Sequence, residues 1–178
     1  MEKFGKLKPE GNTAMYDACH VAINKLQQGR HAKRVLILIS DGLDQGSRYS
    51  FSDLRNYLRE TGVALYSVCL SPEINTGSAL GYEGPAILSD LSVVSGGLTY
   101  TARSIKERSA NEIFRAIASE LRSQYTIAIE PQATTRKSKW HKIRLKVSPT
   151  ADVPHEMKDL SARTREGYYA QQNPIKIP

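Results

Sequence analysis

The chain has 178 residues, 40% of them apolar and 24% charged, a balance that fits one globular domain with at most a small appendage and argues against wholesale disorder. No apolar run approaches the ~18 residues of a membrane span, and Met1 to Lys8 holds no apolar stretch able to act as a signal peptide. The net charge of +7 is uneven: residues 1–124 carry 15 basic and 13 acidic side chains, whereas residues 125–178 carry 10 and 5, so the basic excess belongs to the tail.

The first eleven residues read as an irregular lead-in, with Pro9 and Gly11 as breakers. Met15, Ala18, Cys19, Ala22, Ile23 and Leu26 then recur at the spacing of one buried helical stripe, which predicts a helix near 13–28. Thr13 or Asn12 is its expected cap and Gly29 its stop. Arg34 to Ser40 encloses five consecutive aliphatic residues without alternation, the pattern of a parallel strand buried on both faces, and Asp41-Gly42 breaks it. Ser50 or Ser52 opens a helix near 52–61 with Leu54, Tyr57 and Leu58 inward and Gly62 at its end. Val63 to Leu70 is a second buried strand. Pro85 marks the start of a helix near 86–95 that stops at Gly96-Gly97. Leu98 to Ala102 is a short third strand, and Ser109 to Glu112 reads as a capping box for a helix near 110–123.

This alternation predicts an α/β fold: a Rossmann-like parallel sheet flanked by helices over residues 1–124. After Gln124 the pattern changes. Tyr125 to Glu130 and His141 to Val147 are strand-like, and the polar stretch Pro131 to Lys139 between them predicts a C-terminal antiparallel β-hairpin. Residues 125–178 are therefore expected to form a hairpin extension and tail, with Gly167 to Ala170 as a further short strand. Cys19 and Cys69 make neither a metal-ligand pattern nor a disulfide framework, and each sits among apolar neighbours as a small hydrophobe.

Ligands of an open parallel sheet gather beyond the C-terminal strand ends, which singles out Asp41. Asp41, with Gly42 for a tight turn and Asp44 nearby, offers oxygen ligands suited to a hard cation such as Mg²⁺, although Asp-Gly after a strand is also ordinary turn chemistry. Thr13 at a helix start is either a cap or a hydroxyl donor to a metal.

Taken together, Gly11-Asn-Thr-Ala-Met-Tyr-Asp-Ala18, the aliphatic strand and Ile39-Ser-Asp-Gly42 resemble the later half of a von Willebrand factor type A domain of a bacterial branch. The resemblance runs through Asp44 to Ser50, the Val63 to Leu70 strand, Ser95 to Tyr100 and Glu120 to Tyr125, and extends to Trp140 to Val147 and Arg165 to Ala170. It implies a non-catalytic protein-binding or adhesion module with a metal-ion-dependent adhesion site, in which a cation held by Thr13 and Asp41, with Asp44 behind them, takes a carboxylate of a protein partner. It also implies an extracytoplasmic setting. The family's Asp-x-Ser-x-Ser motif does not precede Thr13, and Asp90 to Ser95 has a different spacing. The chain is thus expected to lack the N-terminal portion of such a domain, to bind Mg²⁺ weakly or not at all, and to expose the edge of its 34–40 strand to self-association.

Two other readings stay open. A metal-dependent hydrolase could use Asp41 and Asp44, but no Gly-x-Ser-x-Gly turn, His-x-x-x-His pair or phosphate loop accompanies them, and His20, His31, His141 and His155 lie scattered. Nucleic acid could bind Arg136, Lys137, Lys139 and Lys142 around Trp140, yet alternation places Lys142, Arg144 and Lys146 on a solvent face that needs no ligand.

Overall fold

The computed structural model describes residues 11–70, 80–102, 108–129, 140–148 and 162–169. Its architecture is α/β. Helices α1 (Met15–Gln27), α2 (Phe51–Thr61), α3 (Leu80–Ser95) and α4 (Arg108–Arg122) surround strands β1 (Val35–Ser40), β2 (Ala64–Leu70) and β3 (Thr99–Ala102). The three strands are parallel in the order β1-β2-β3, with Val35 beside Ala64 and Ser67 beside Thr99. A separate antiparallel pair joins β4 (Trp140–Lys142) to β5 (Gly167–Tyr169).

Side chains alternate across the sheet and so divide the core in two. On one face Leu65 and Cys69 of β2, with Leu36 and Leu38 of β1, pack against Cys19 and Ile23 of α1, Leu54 and Leu58 of α2, and Leu88 and Leu91 of α3. On the other, Tyr66 and Val68 of β2 and Ala102 of β3 meet Ile113 and Ile117 of α4. Complete burial of each such leucine or isoleucine stabilises by about 1.5–3 kcal/mol. Strand β2 alone matches the expectation of burial on both faces. β1 does not: Ile37 and Ile39 are 41% and 40% exposed, because α4 covers β2 and β3 but not the outer strand.

A hydroxyl cluster interrupts the first core. Ser67 of β2 lies 2.9 Å from Ser92 of α3 and 2.6 Å from Thr99 of β3, and Ser95 accepts the Leu65 N–H at 2.8 Å. Each buried hydroxyl is thereby satisfied, as burial in an apolar setting requires.

The expected elements form, with four differences in detail. α1 begins at Met15 behind Ala14, which makes no side-chain cap, so neither Thr13 nor Asn12 caps it. α3 starts at Leu80 and encloses Pro85, whose missing N–H removes one ladder bond without ending the helix. α4 begins at Arg108, placing Ser109 inside the helix instead of at its cap. Residues 125–129 belong to no strand. The expected C-terminal antiparallel pair is present, but β4 makes it with β5; residues 125–129 of the expected first strand do not take part, and residues 130–139 lie outside the described residues. α2 follows expectation closely: Ser50 and Asp53 form a capping box, and Gly62 (φ 65°) closes the helix in the left-handed conformation.

Candidate functional site: the rim beyond β1

The chain leaves β1 through Asp41-Gly42. Gly42 has φ 86°, and a Cβ there would lie 2.7 Å from Gly84 Cα, so the strand tip crosses α3 backbone against backbone. That approach demands glycine on both sides and fixes where Asp41 emerges. The Asp41 carboxylate is exposed, and its Oδ1 accepts the Leu43 N–H at 3.0 Å. Its charge reaches inward as well. Burial raises the Cys69 thiol pKa, and Asp41 raises it further.

The loop from Leu43 to Ser50 then folds over the start of α1. Asp44 Oδ1 accepts the Tyr16 N–H at 3.1 Å and the Ser47 hydroxyl at 2.7 Å, while Oδ2 accepts the Ser47 N–H at 3.1 Å. Asp44 is therefore the capping carboxylate of α1, supplied from the far end of β1. Burial pushes its pKa up, but the Ser47 hydroxyl and the N–H groups of Tyr16, Ser47 and Met15 outweigh this and hold it below the ordinary carboxylate value. Burial, with the Asp44 charge second, raises the Cys19 thiol to about 11, an unreactive thiol. Thr13 contributes its backbone: its carbonyl accepts Gln45 N–H at 2.8 Å and Gly46 N–H at 2.9 Å.

Asp17 completes the lacing, a role the sequence reading did not assign. It accepts the N–H of Arg48 at 2.9 Å and of Tyr49 at 3.1 Å, and its own N–H donates to the Ser47 hydroxyl at 3.0 Å. The Tyr49 N–H foremost, together with the Arg48 guanidinium and N–H, lowers the pKa of Asp17 against the opposing effect of burial. An acid in the first turn of α1, facing a Ser-Arg-Tyr-Ser loop of donors, was the available signal.

Thr13 and the loop following Asp41 thus lie together on one rim of the sheet. The donor set is thin. Among the described residues no group of three or more His, Cys, Asp or Glu side chains could hold a metal ion, and Asp44 has both oxygens engaged. Mg²⁺ demands an octahedral oxygen shell, of which the Thr13 hydroxyl and the Asp41 carboxylate would supply at most a part.

Of the basic candidates, Arg136, Lys137 and Lys139 lie outside the described residues. Lys142 is exposed at the end of β4. Trp140 is half-buried, with Tyr169 edge-on at 4.9 Å and the Arg59 guanidinium 5.0 Å from its ring centre, so its faces serve packing. His20 is stacked between Tyr49 (3.9 Å) and Tyr57 (4.6 Å), and His141 against Tyr168 (5.3 Å). Among the described residues no helix is long and apolar enough to cross a membrane. The sequence matches no protein-family model and no curated protein.

Proposed function

We propose that the chain is a non-catalytic, protein-binding module of the von Willebrand factor type A kind, and that the rim made by Asp41, the 43–50 loop and the start of α1 is its recognition surface. The observation that carries this reading is the exposed Asp41 carboxylate, set at a parallel strand tip whose flanking loop is tied to a helix by Asp44 and Asp17. A carboxylate held on so pre-organised a rim loses little freedom on binding, which favours recognition. The non-catalytic reading is supported by the ring stacks that hold His20 and His141, whose Nε2 atoms are buried and, among the described residues, without a hydrogen-bond partner. A hydrated Mg²⁺ at Asp41 and Thr13 would offer a coordination position to a partner's carboxylate.

Titration calorimetry with Mg²⁺ tests the rim. Weak, saturable binding that disappears in Asp41→Ala and falls in Thr13→Val is expected, and Mg²⁺-dependent retention on immobilised acidic peptides should disappear with it. Tight binding that survives Asp41→Ala would put the site elsewhere. Turnover of simple ester or phosphoester substrates, lost in the same variant, would replace the binding reading with a hydrolytic one.

A further inference from the structure

We propose that the outer edge of β1 recognises a second copy of this chain, the two β1 strands pairing antiparallel about a twofold axis through Ile37 to give one continuous sheet with three strands from each copy. The inference stands on the edge and not on the metal reading of the rim.

Backbone direction comes first. Ala64 N–H donates to the Arg34 carbonyl at 3.0 Å, with Val35 in register beside Ala64. In a parallel ladder the backbone groups of successive residues point to opposite sides. Leu36, Leu38 and Ser40 therefore bond toward β2, and Val35, Ile37 and Ile39 point their N–H and C=O groups outward. Among the described residues no strand takes them. Ile37 and Ile39 also carry the half-exposed side chains of this edge. The run Val-Leu-Ile-Leu-Ile holds none of the lysine, proline or glycine by which exposed edges are ordinarily guarded.

Charge selects the orientation. Arg30, Lys33 and Arg34 precede β1, while Asp41 and Asp44 follow it. Antiparallel pairing sets the basic end of each copy beside the acidic end of the other, whereas parallel pairing would set like beside like. Centring on Ile37 makes Ile37 a directly hydrogen-bonded pair with its own copy, joins Val35 to the partner's Ile39, and places Lys33 opposite the partner's Asp41. The present bond of Lys33, from Nζ to the Gln124 carbonyl at 3.2 Å, is exposed and a facing carboxylate would outcompete it.

The neighbouring helix fits the same symmetry. Residues 20, 24 and 27 of α1 face α2 through the contacts of His20 with Tyr57 and of Asn24 and Gln27 with the Tyr57 hydroxyl. Helical periodicity then turns Ala14, Ala18, Val21 and Ala22 the other way, past the β1 edge. Together with the polar Asp17, Asn24, Lys25 and Gln28, these residues line a shallow surface concavity in which Val21 is 70% exposed. A twofold axis perpendicular to the sheet brings the two α1 helices onto the same face, where Ala14, Ala18 and Ala22, with the polar Asp17, Lys25 and Gln28 of the same concavity, turn toward the other copy over the joined strands. Edge and helix face are two parts of one self-complementary surface.

Sedimentation equilibrium combined with hydrogen exchange tests the proposal on the full chain. A concentration-dependent dimer is expected, with the Val35, Ile37 and Ile39 amides gaining protection as it forms. Ile37→Lys, at an exposed position that leaves the far-UV circular dichroism unchanged, should abolish both. Lys33→Glu should weaken the dimer by about tenfold through like charges opposite one another, and adding Asp41→Lys should restore it. A monomer at every concentration overturns the proposal, whether these amides exchange freely or are covered by another part of the same chain. A dimer that tolerates Ile37→Lys overturns it too. Failure of the charge swap to restore a dimer weakened by Lys33→Glu would remove the antiparallel register.

Discussion

Asp44 and His20 show how single side chains carry more than local roles. Asp44 caps α1 by accepting the N–H of Tyr16, 28 residues earlier, so Asp44→Ala should cost about 0.5–2 kcal/mol of stability, the range for loss of a helix cap, and should free the 43–50 loop. Urea unfolding measures the first, and hydrogen exchange at Gln45, Gly46 and Ser47 the second. His20 is stacked between two tyrosines with Nε2 buried and unbonded. Burial lowers its pKa below the ordinary 6.5, against the opposing pull of Asp53 and Asp17. A histidine held neutral in the fold contributes stability that is present above 6.5 and declines as pH falls below it, because the unfolded chain takes up the proton first. Asp17, Asp44 and Asp53, lowered from 3.8, act in the same direction at more acid pH. The urea midpoint should therefore begin to fall below about pH 6.5. His20→Phe, which keeps the stack and removes the proton, should postpone that fall to the carboxylate range.

At the scale of elements, helical periodicity was enough to find α1 to α4, each of which buries one stripe, while unbroken aliphatic runs found β1 and β2. What these patterns missed depends on distant partners. The Thr13 and Asn12 positions read as caps, but the acceptor for α1 comes from beyond β1, and no local spacing encodes it. The alternation in 125–129 is real, yet Tyr125 is 93% exposed and Ile127 68%, and β4 chose β5 instead. The physical reason is a fit at Gly167, where a Cβ would come within 2.6 Å of the Trp140 indole, so only glycine lets that ring lie across the strand. Asp41 was legible from the strand-tip rule, whereas Asp17 showed only as an acid in the first turn of α1, because its donors lie about thirty residues away. Close backbone contact gives a further prediction. A Cβ on Gly97 would stand 2.6 Å from the Leu65 carbonyl carbon, so Gly97→Ala should destabilise by about 1–3 kcal/mol, read as a lower thermal midpoint.

Across the whole molecule, the small β4-β5 sheet is tied to the larger body by one short segment. Glu166 N–H donates to the Val94 carbonyl at 3.2 Å, its carboxylate meets Arg59 at 2.7 Å and Arg55 at 3.6 Å, and Arg163 pairs with Glu120. Arg165 lies against Gly96, where a Cβ would stand 2.8 Å from its backbone nitrogen. Because Arg59 also covers Trp140, one arginine links α2 to β4 and to the residue that leads into β5. Glu166→Ala should accordingly raise hydrogen exchange in 140–142 and 167–169 while β2 stays protected. Equal loss of protection in β2 would mean that the two sheets unfold as one unit.

The buried hydroxyls of Ser67, Ser92 and Thr99 bear on how the chain chooses its fold. An all-aliphatic interior tolerates sliding, since one methyl group packs about as well as another. Here a two-residue shift of β3 along β2 would set Ser67 beside Thr101 in one direction or Gly97 in the other. The shift toward Gly97 takes the Thr99 hydroxyl from Ser67 and puts none in its place, at a cost of up to about 1–3 kcal/mol for a hydroxyl left unsatisfied, whereas Thr101 would bring a hydroxyl to the same position. The cluster thus acts as an alignment key that disfavours a slip of β3 toward Gly97, which an oil-like core would accept.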